Sequence, residues 1–288
     1  MWAQDLRWSF APTRGRLEAA LGDGTLNGLV VEDEEGACAY ATYALESGHG
    51  IIGSVFASTR ARGRGFESLL VDRILNRLLA LQPKVIDCQT LFSSDPALLE
   101  PFASRGFESA VRIYMTLDRP AWLSGRRPLA RGLRSKPTHR TDLRGVARLV
   151  YEAHLDTHHL DASSSFDTLE SCERILRQII LDEVCGPFDS MGSRRIEVDG
   201  KLAAACLLTW PLTGIAHVSE VATAPGHRLR GLARHCLAES LENAFERGRA
   251  SSATLSVTAS NRPALSLYES MGFSPWIHYG SHVLRTAR

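Results

Sequence analysis

Apolar residues recur along the chain at spacings that alternate between those of strands and those of helices. In the later part of the sequence, residues 215–223 and 252–259 read as apolar strands, and a stripe at helical spacing lies between them. A short helix then begins at Asn261, because a polar residue caps a helix and proline is tolerated in the first turn. Gly272 ends this helix, and a further strand follows.

The earlier part of the sequence shows the same succession of elements. Residues 50–58 and 84–91 read as apolar strands that flank a helical stripe. The last helix begins near Ser94-Asp95-Pro96, and Gly106 ends it. The hydrophobic pattern therefore predicts one strand–helix–strand–helix–strand unit that occurs twice.

Two independent landmarks indicate that this repetition is a duplication. The central glycines of two glycine-rich turns, Gly63 and Gly231, are 168 residues apart. The glycines of the two Gly-Phe pairs, Gly106 and Gly272, are 166 residues apart. We therefore divide the chain into an N-terminal half (residues 1–119), a linker (120–131) with two prolines and no helical stripe, and a C-terminal half (132–288).

The two halves differ in what precedes their shared pattern. The C-terminal half has room for two amphipathic helices, over residues 140–156 and 168–184. The N-terminal half has only about 20 residues at the corresponding place, over residues 11–28. We expect the N-terminal half to lack most of the helical layer that those two helices would form in the C-terminal half.

The glycine-rich turns, RARGRG and RLRGLA, both fit Arg-x-x-Gly-x-(Gly/Ala) between a strand and a helix. Free backbone N–H groups and the helix dipole make such a turn a binding site for phosphate groups. Neither turn has the three glycines of a dinucleotide-binding fingerprint, nor the Gly-Lys-Ser/Thr of a Walker loop. The pattern predicts a cofactor that carries a diphosphate.

Together with the strand–Asn–helix–Gly-Phe ending, these turns make both halves resemble the GNAT superfamily of acyl-CoA-dependent N-acyltransferases. The resemblance covers nearly the whole C-terminal half and about residues 28–118 of the N-terminal half. It implies an α/β (α+β) fold of two tandem GNAT-like domains. Each domain would hold a mixed, mostly antiparallel sheet, splayed at the acyl-CoA site and flanked by helices.

The resemblance also implies which residues hold acetyl-CoA. The acyl-pantetheine arm would lie along the strand residues Val221, Ala222 and Thr223, and the start of the last helix would touch the cofactor through Asn261. The pyrophosphate would bind the turn of Arg228, Leu229, Arg230, Gly231, Leu232 and Ala233. In the N-terminal half the equivalent turn contains Arg60, Arg62, Gly63, Arg64 and Gly65.

Acyl transfer to an amine needs a neutral amine and benefits from an acid near the leaving thiolate. Tyr268 matches the tyrosine that often protonates the thiolate in this family, and helical spacing directs it toward the sheet. Glu220 lies on the strand beside the cofactor gap and is the candidate base. His217 is a weaker alternative on the opposite face of a regular strand, unless a bulge changes the parity. Phe102 replaces the tyrosine in the N-terminal half, so we expect this half to be degenerate and the C-terminal half to be catalytic.

His154 and His158 are one helical turn apart, which is compatible with metal binding, but no third ligand is evident and we predict no metal. In this family the first helices line the acceptor pocket. His154, Asp156, His158 and His159 are therefore candidates for selecting the acceptor.

The composition of the chain bears on its partners and on its cellular location. The chain of 288 residues has 44% hydrophobic residues and a formal net charge of +1, which does not favour a nucleic-acid or membrane partner. No signal peptide or long apolar segment is evident, and the six cysteines show no paired spacing. We expect a cytoplasmic protein, a monomer or a homodimer, whose acceptor is a small-molecule or protein amine.

The sequence thus predicts an acetyl-CoA-dependent N-acetyltransferase. Two alternatives stay open: a non-catalytic acyl-CoA-binding or scaffold protein of the same fold, and a transferase of O-acyl or longer acyl groups.

Overall fold

The computed structural model describes residues 11–90, 99–125, 132–157, 162–246 and 250–286. The helices are α1 (Ala11–Gly22), α2 (Phe66–Ala80), α3 (Leu99–Ala103), α4 (Arg119–Gly125), α5 (Leu143–His154), α6 (Leu169–Ile180), α7 (Leu232–Glu246) and α8 (Arg262–Glu269). The strands are β1 (Asn27–Asp33), β2 (Gly36–Glu46), β3 (His49–Ala57), β4 (Val85–Gln89), β5 (Glu108–Asp118), β6 (Lys136–Pro137), β7 (Arg194–Val198), β8 (Lys201–Leu212), β9 (Ile215–Thr223), β10 (Ser252–Thr258) and β11 (Ser274–Arg285).

These strands form a single 11-stranded sheet in the order β1-β2-β3-β4-β11-β5-β10-β9-β8-β7-β6. The pairings are antiparallel except for β3 with β4 and β9 with β10, which are parallel. Helices accompany the sheet in both halves, so a mixed α/β fold with a mostly antiparallel sheet is confirmed.

The two halves exchange their last strands. The C-terminal β11 lies between β4 and β5, and the N-terminal β5 lies between β11 and β10. Each final strand therefore pairs with the other half's parallel strand: β11 with β4, and β5 with β10. The division into domains at residues 119 and 132 stays a prediction, and hydrogen bonds of the central sheet cross it.

Three clusters of buried residues stabilise the sheet. One lies under α2 and contains Leu70, Ile74 and Phe102 of the N-terminal half. The second joins α7 and α8 to β8, β9 and β10, and it includes three β5 residues, Ile113, Met115 and Leu117. The third lies under α5 and α6.

Local sequence signals explain several of the boundaries. Thr168 caps α6 by accepting a hydrogen bond from the Ser171 N–H at 3.1 Å, and Asn261 caps α8 through the Ala264 N–H at 3.3 Å. Gly106 and Gly272 have φ values of 75° and 94°, as expected for glycines in the turn that ends a helix.

The linker differs from its prediction. Residues 119–125 form α4, although they show no helical stripe. Trp122 of this helix is buried and its ring centroid is 6.0 Å from that of Phe245 on α7. Trp122 is the one buried side chain of residues 119–125, and a single buried position is too little to produce a periodic pattern in the sequence.

Candidate active site

The two parallel strands of the C-terminal half separate at a defined point. Ser252 to Leu255 of β10 pair with Ile215 to Val218 of β9, and beyond Val218 the two strands share no further pairing. Both strands continue, to Thr258 and Thr223. The backbone N–H and C=O groups on the facing edges therefore have no partner on the other strand, and a gap lies between the two strands. The predicted splay of the sheet is present.

A β-bulge lies where the strands separate. Val218 pairs with Leu208 of β8 but Glu220 pairs with Leu207, so Ser219 is an extra residue in β9. Leu207 and Thr209 share one face of β8, and Thr209 pairs with His217. The bulge therefore brings Glu220 and His217 to the same face, which a regular strand would not do.

Glu220 lies on the face of the sheet that α5 and α6 cover, because its partner Leu207 belongs to the cluster under these helices. Its Oε1 atom accepts a hydrogen bond from the Val221 N–H at 3.0 Å. The side chain is half-buried, so a carboxylate at this position can still reach a ligand in the gap.

Tyr268 lies on the other side of the same gap. Its side chain is buried in the cluster of α7 and α8, with its ring centroid 6.1 Å from that of Phe273. The pKa of Tyr268 is raised above its usual range, chiefly by burial and then by the negative charge of Glu220. The phenol is therefore protonated at neutral pH, which an acid requires.

The turn from Arg228 to Ala233 leads directly into α7. Gly231 has a φ of 78°, and a Cβ added there would meet no atom within 4 Å. Leu229 is fully exposed and has a φ of 61°, a conformation that costs a branched side chain about 1–2 kcal/mol. Such local strain is found mainly at functional sites. The turn is thus held open toward solvent at the N-terminus of α7.

Two arginines of this turn differ in their surroundings. The Arg228 guanidinium donates to the Ala153 carbonyl at 2.7 Å and lies 3.1 Å from the Asp156 carboxylate, so it ties the turn to the end of α5. Arg230 is exposed, and within the described residues it has no ion pair or hydrogen bond. Of these two arginines, Arg230 is the one whose described surroundings leave it available to a phosphate.

An unsatisfied hydroxyl fits a ligand in the gap. Oγ1 of Thr223 is buried and has no hydrogen-bond partner among the described residues. A buried hydroxyl without a partner is costly, and the polar pantetheine arm of coenzyme A would supply one. Val221 is partly buried against the cluster of α7 and α8, and Ala222 is buried in the cluster of α5 and α6. These residues fit the predicted cofactor, with Asn261 close by as the cap of α8.

The N-terminal half has the same backbone arrangement. His49 to Ile52 of β3 pair with Val85 to Cys88 of β4 and then separate, and β3 has an irregularity between Ile52 and Val55. Gly63 and Gly65 have φ values of 72° and 76°, with open space where a Cβ would lie. The backbone of the second turn is therefore also preserved.

The side chains of the N-terminal half differ. Counted from the last parallel pair, Ser54 stands where Glu220 stands in the C-terminal half. Counted back from the glycines that end the last helices, Gly106 and Gly272, Phe102 stands where Tyr268 stands. Phe102 is fully buried, with its ring stacked on His282 of β11 at a centroid distance of 4.1 Å. Neither candidate for proton transfer therefore has a counterpart in this half.

The arginines of the N-terminal turn repeat the division of roles. Arg60 bonds to Asp33 at 2.9 Å and to the Gly36 carbonyl at 3.1 Å, as Arg228 bonds to α5. Arg64 lies over the Phe66 ring at 4.8 Å from its centroid. Arg62 is exposed and has no ion pair within the described part of the chain. Sequence reasoning treated all these arginines alike and missed that the first arginine of each turn is a structural brace.

The histidine candidates are placed as follows. His217 is buried, its Nδ1 lies 2.9 Å from Oγ1 of Thr254, and burial lowers its pKa to about 4. His154 stacks on Phe166 at 3.9 Å between centroids, and His158 and His159 lie outside the described residues. Among the described residues, no group of three or more His, Cys, Asp or Glu side chains is arranged to hold a metal.

Comparisons with known proteins agree with this geometry. Residues 154–273 match the model of the acetyltransferase (GNAT) family. The matched segment contains the gap, the turn, Glu220 and Tyr268. The comparison with curated protein sequences gives no match.

Solved structures share the fold. A GCN5-related N-acetyltransferase from Sphaerobacter thermophilus is 20% identical with a TM-score of 0.65, covering 91% of this chain and 81% of that one. A tandem GNAT protein from the clavulanic acid biosynthesis pathway is 14% identical with a TM-score of 0.58, covering 91% and 83%. A GCN5-related N-acetyltransferase from Kribbella flavida is 15% identical with a TM-score of 0.53, covering 93% of each chain.

At these identities the likeness concerns the fold. With the family match, it supports the class of acyl-CoA acyltransferases. Within the described residues, no helix is long and apolar enough to span a membrane.

Proposed function

We propose that the C-terminal half is an acetyl-CoA-dependent N-acetyltransferase, which transfers the acetyl group from the thioester directly to a primary amine. The observation that carries this proposal is the gap beyond Val218, with Glu220 on one face of the sheet and Tyr268 on the other. The two candidate groups for proton transfer thus flank the place where a thioester in the gap would lie.

The turn and the strand edge provide the binding. The free N–H groups at the start of α7, together with Arg230, would hold the pyrophosphate, and Thr223 would bond to the pantetheine arm. Acetyl-CoA, when bound, supplies the acetyl group in activated form. Binding both substrates in one orientation contributes much of the rate enhancement in such a reaction.

Glu220 and Tyr268 move the protons. Glu220 takes a proton from the attacking nitrogen, directly or through a water molecule, as the new C–N bond forms. The Tyr268 hydroxyl gives its proton to the sulfur as the C–S bond breaks. Tyr268 regains a proton from solvent, and Glu220 releases one. His217 is a poorer base, because burial lowers its pKa to about 4.

The role of the N-terminal half follows from comparing its site with that of the C-terminal half. We propose that the N-terminal half arose by duplication and keeps the fold of a coenzyme A-binding domain. It has no catalytic activity of its own, since Ser54 and Phe102 replace the two proton-transfer residues. Its turn, with Arg62, Gly63 and Gly65, is a candidate second coenzyme A site. All six cysteines are free, which favours a reducing setting such as the cytoplasm, and the acceptor is a small-molecule or protein amine.

The test is turnover. Purified protein is incubated with acetyl-CoA and a panel of primary amines, while free thiol is measured and the product is identified by mass. We expect Tyr268→Phe to lower kcat about 100-fold, with little change in KM for acetyl-CoA. Tyr43→Phe is the matched control, because the Tyr43 hydroxyl lies in the N-terminal half and, among the described residues, accepts a hydrogen bond only from Arg77, at 3.4 Å.

Each alternative function predicts its own result. Binding of acetyl-CoA without turnover on any acceptor would favour a binding protein. Transfer only to alcohols, or only from longer acyl-CoAs, would favour the O-acyl or longer-chain transferase. Full activity of Tyr268→Phe would remove the acid role of this residue.

A further inference from the structure

A cavity of about 450 Å³ lies between the two halves, away from the C-terminal gap. One wall is made by β3 and β4 of the N-terminal half, at the place where these strands separate. The opposite wall is α6 of the C-terminal half, with the loop at residues 163–165. Helix α6 of the C-terminal half thus faces the place where β3 and β4 separate.

The two walls are joined by partly buried polar contacts. Asp87 of β4 accepts hydrogen bonds from the Ser164 N–H at 2.8 Å and from the Ser164 hydroxyl, and it lies 2.7 Å from Nε2 of His49. This cluster uses the acceptor capacity of Asp87 within the protein. The position of Asp87 is therefore fixed by protein contacts, and its carboxylate is not available to bind a ligand in the cavity.

Two other charged side chains line the cavity without partners. Arg174 of α6 and Glu46 at the end of β2 line its solvent-exposed rim, and neither has an ion pair or hydrogen bond with a described residue. They do not pair with each other, whereas Arg285 and Arg228 elsewhere in the chain are each paired with a carboxylate. Gln178 and Gln89, also without side-chain partners in the described part, add amide groups to the lining.

We propose that this cavity binds a small zwitterion of the α-amino-acid type. The carboxylate of the ligand pairs with the Arg174 guanidinium, whose planar donors match a carboxylate in two-point contact. Its ammonium group faces Glu46, and the amides and serine hydroxyls complete the hydrogen bonding. The volume lies in the usual range for small-molecule sites.

This site is separate from the proposed catalytic centre. Its lining contains neither Glu220 nor Tyr268 and no residue of either glycine-rich turn. The opposite face of α6 carries Cys172 and Leu176 into the core under β8 and β9. Helix α6 therefore presents Arg174 and Gln178 to the cavity and its other face to the core that contains Leu207, the partner of Glu220.

The test uses the full chain and the twenty free α-amino acids, each added singly at neutral pH. A rise in Tm selects the ligand, and calorimetry measures its Kd and stoichiometry. We expect at least one amino acid to bind at one molecule per chain, and its carboxamide derivative to fail. Arg174→Gln and Glu46→Gln should each weaken binding at least tenfold. Arg177→Gln, an exposed arginine on the same helix outside the cavity, should bind as wild type does.

A cavity-filling variant separates this site from the others. Gln178→Trp should abolish binding while leaving the unfolding transition cooperative. The proposal is overturned if no amino acid binds, or if binding is unchanged in Arg174→Gln. It is also overturned if the amino acid still binds to Gln178→Trp, which would place it in the acceptor pocket. Loss of binding in Gly63→Glu together with competition by coenzyme A would instead assign the cavity to a coenzyme A site.

Discussion

Glu220 and Tyr268 lie on opposite faces of the sheet, and the bulge at Ser219 together with the cap of α8 sets their positions. Burial and the charge of Glu220 raise the pKa of Tyr268 above its usual range. Tyr268 therefore stays protonated throughout the range between pH 6 and 9. We expect no decline of kcat in this range from ionisation of Tyr268, so wild type and Tyr268→Phe should show pH–rate profiles of the same shape.

A second effect of burial concerns two histidines. His217 and His282 are buried, and burial lowers the pKa of each to about 4. In the unfolded chain a histidine takes up its proton near pH 6.5. Between pH 6.5 and 4 the unfolded state therefore binds more protons, and the free energy of unfolding falls as the pH falls.

We predict that His282→Phe reduces this pH dependence. Phenylalanine keeps the stacking on Phe102 but cannot titrate, and it loses the bond to Ser109 at every pH. Denaturant unfolding at pH 7 and pH 5 should show a drop in stability that is smaller than in wild type by about 2 kcal/mol. The exposed His278→Gln is the control and should behave as wild type. Equal drops in wild type and His282→Phe would contradict the account.

At the scale of elements, each glycine-rich turn combines a braced arginine with a free one. Within the part of the chain that the structure describes, Arg230 of the C-terminal turn and Arg62 of the N-terminal turn have no ion pair. We predict that Arg230→Ala weakens acetyl-CoA binding about tenfold, because a charge-assisted contact to phosphate is lost. The loss should shrink at high salt, since salt screens an exposed charge.

Arg228, the braced arginine of the same turn, provides the comparison variant for this experiment. Arg228→Gln should lower Tm, because the ties to Ala153 and Asp156 are cut. Arg230→Ala should leave Tm unchanged. If Arg230→Ala binds acetyl-CoA as wild type does at low salt, the turn does not hold the pyrophosphate through this residue.

Most elements could be predicted from the sequence, because each has a local signal. The apolar runs of β3, β9 and β10, the caps of α6 and α8, and the glycines that end the last helices all depend on neighbouring residues. Helix α4 has no such signal, since Trp122 is the one buried side chain among its residues 119–125. The bulge at Ser219 was foreseen only as a possibility, because nothing in the residues themselves fixes the pairing with β8.

At the scale of the whole molecule, the exchange of β5 and β11 ties the halves together. Sequence analysis could not predict this exchange, because β5 and β11 are equivalent strands of the duplication. Their patterns are equally compatible with pairing in either half. The inter-half cavity was missed for the same reason, since it depends on α6 lying over strands of the other half. Long-range pairing between copies has no local signature.

The exchange predicts that neither half folds stably alone. Without residues 1–125, β10 and β11 lose β5, which supplies Ile113, Met115 and Leu117 to the core of the C-terminal half. The exposed strand edges would then promote aggregation. Expressed alone, residues 132–288 should be insoluble or unfold without cooperativity, whereas co-expressed residues 1–125 and 132–288 should purify together. A monomeric, cooperatively unfolding fragment 132–288 would contradict this prediction.

The central claim is that the C-terminal turn and gap hold acetyl-CoA for catalysis. The most direct measurement is calorimetric binding of acetyl-CoA to wild type, Gly231→Glu and Gly63→Glu. Gly231→Ala and Gly63→Ala are controls, because they impose the same backbone strain without the bulk and negative charge. We predict that Gly231→Glu abolishes binding at the catalytic site, while Gly231→Ala and Gly63→Glu retain it. Unchanged binding in Gly231→Glu, or no binding by folded wild type, would contradict the account.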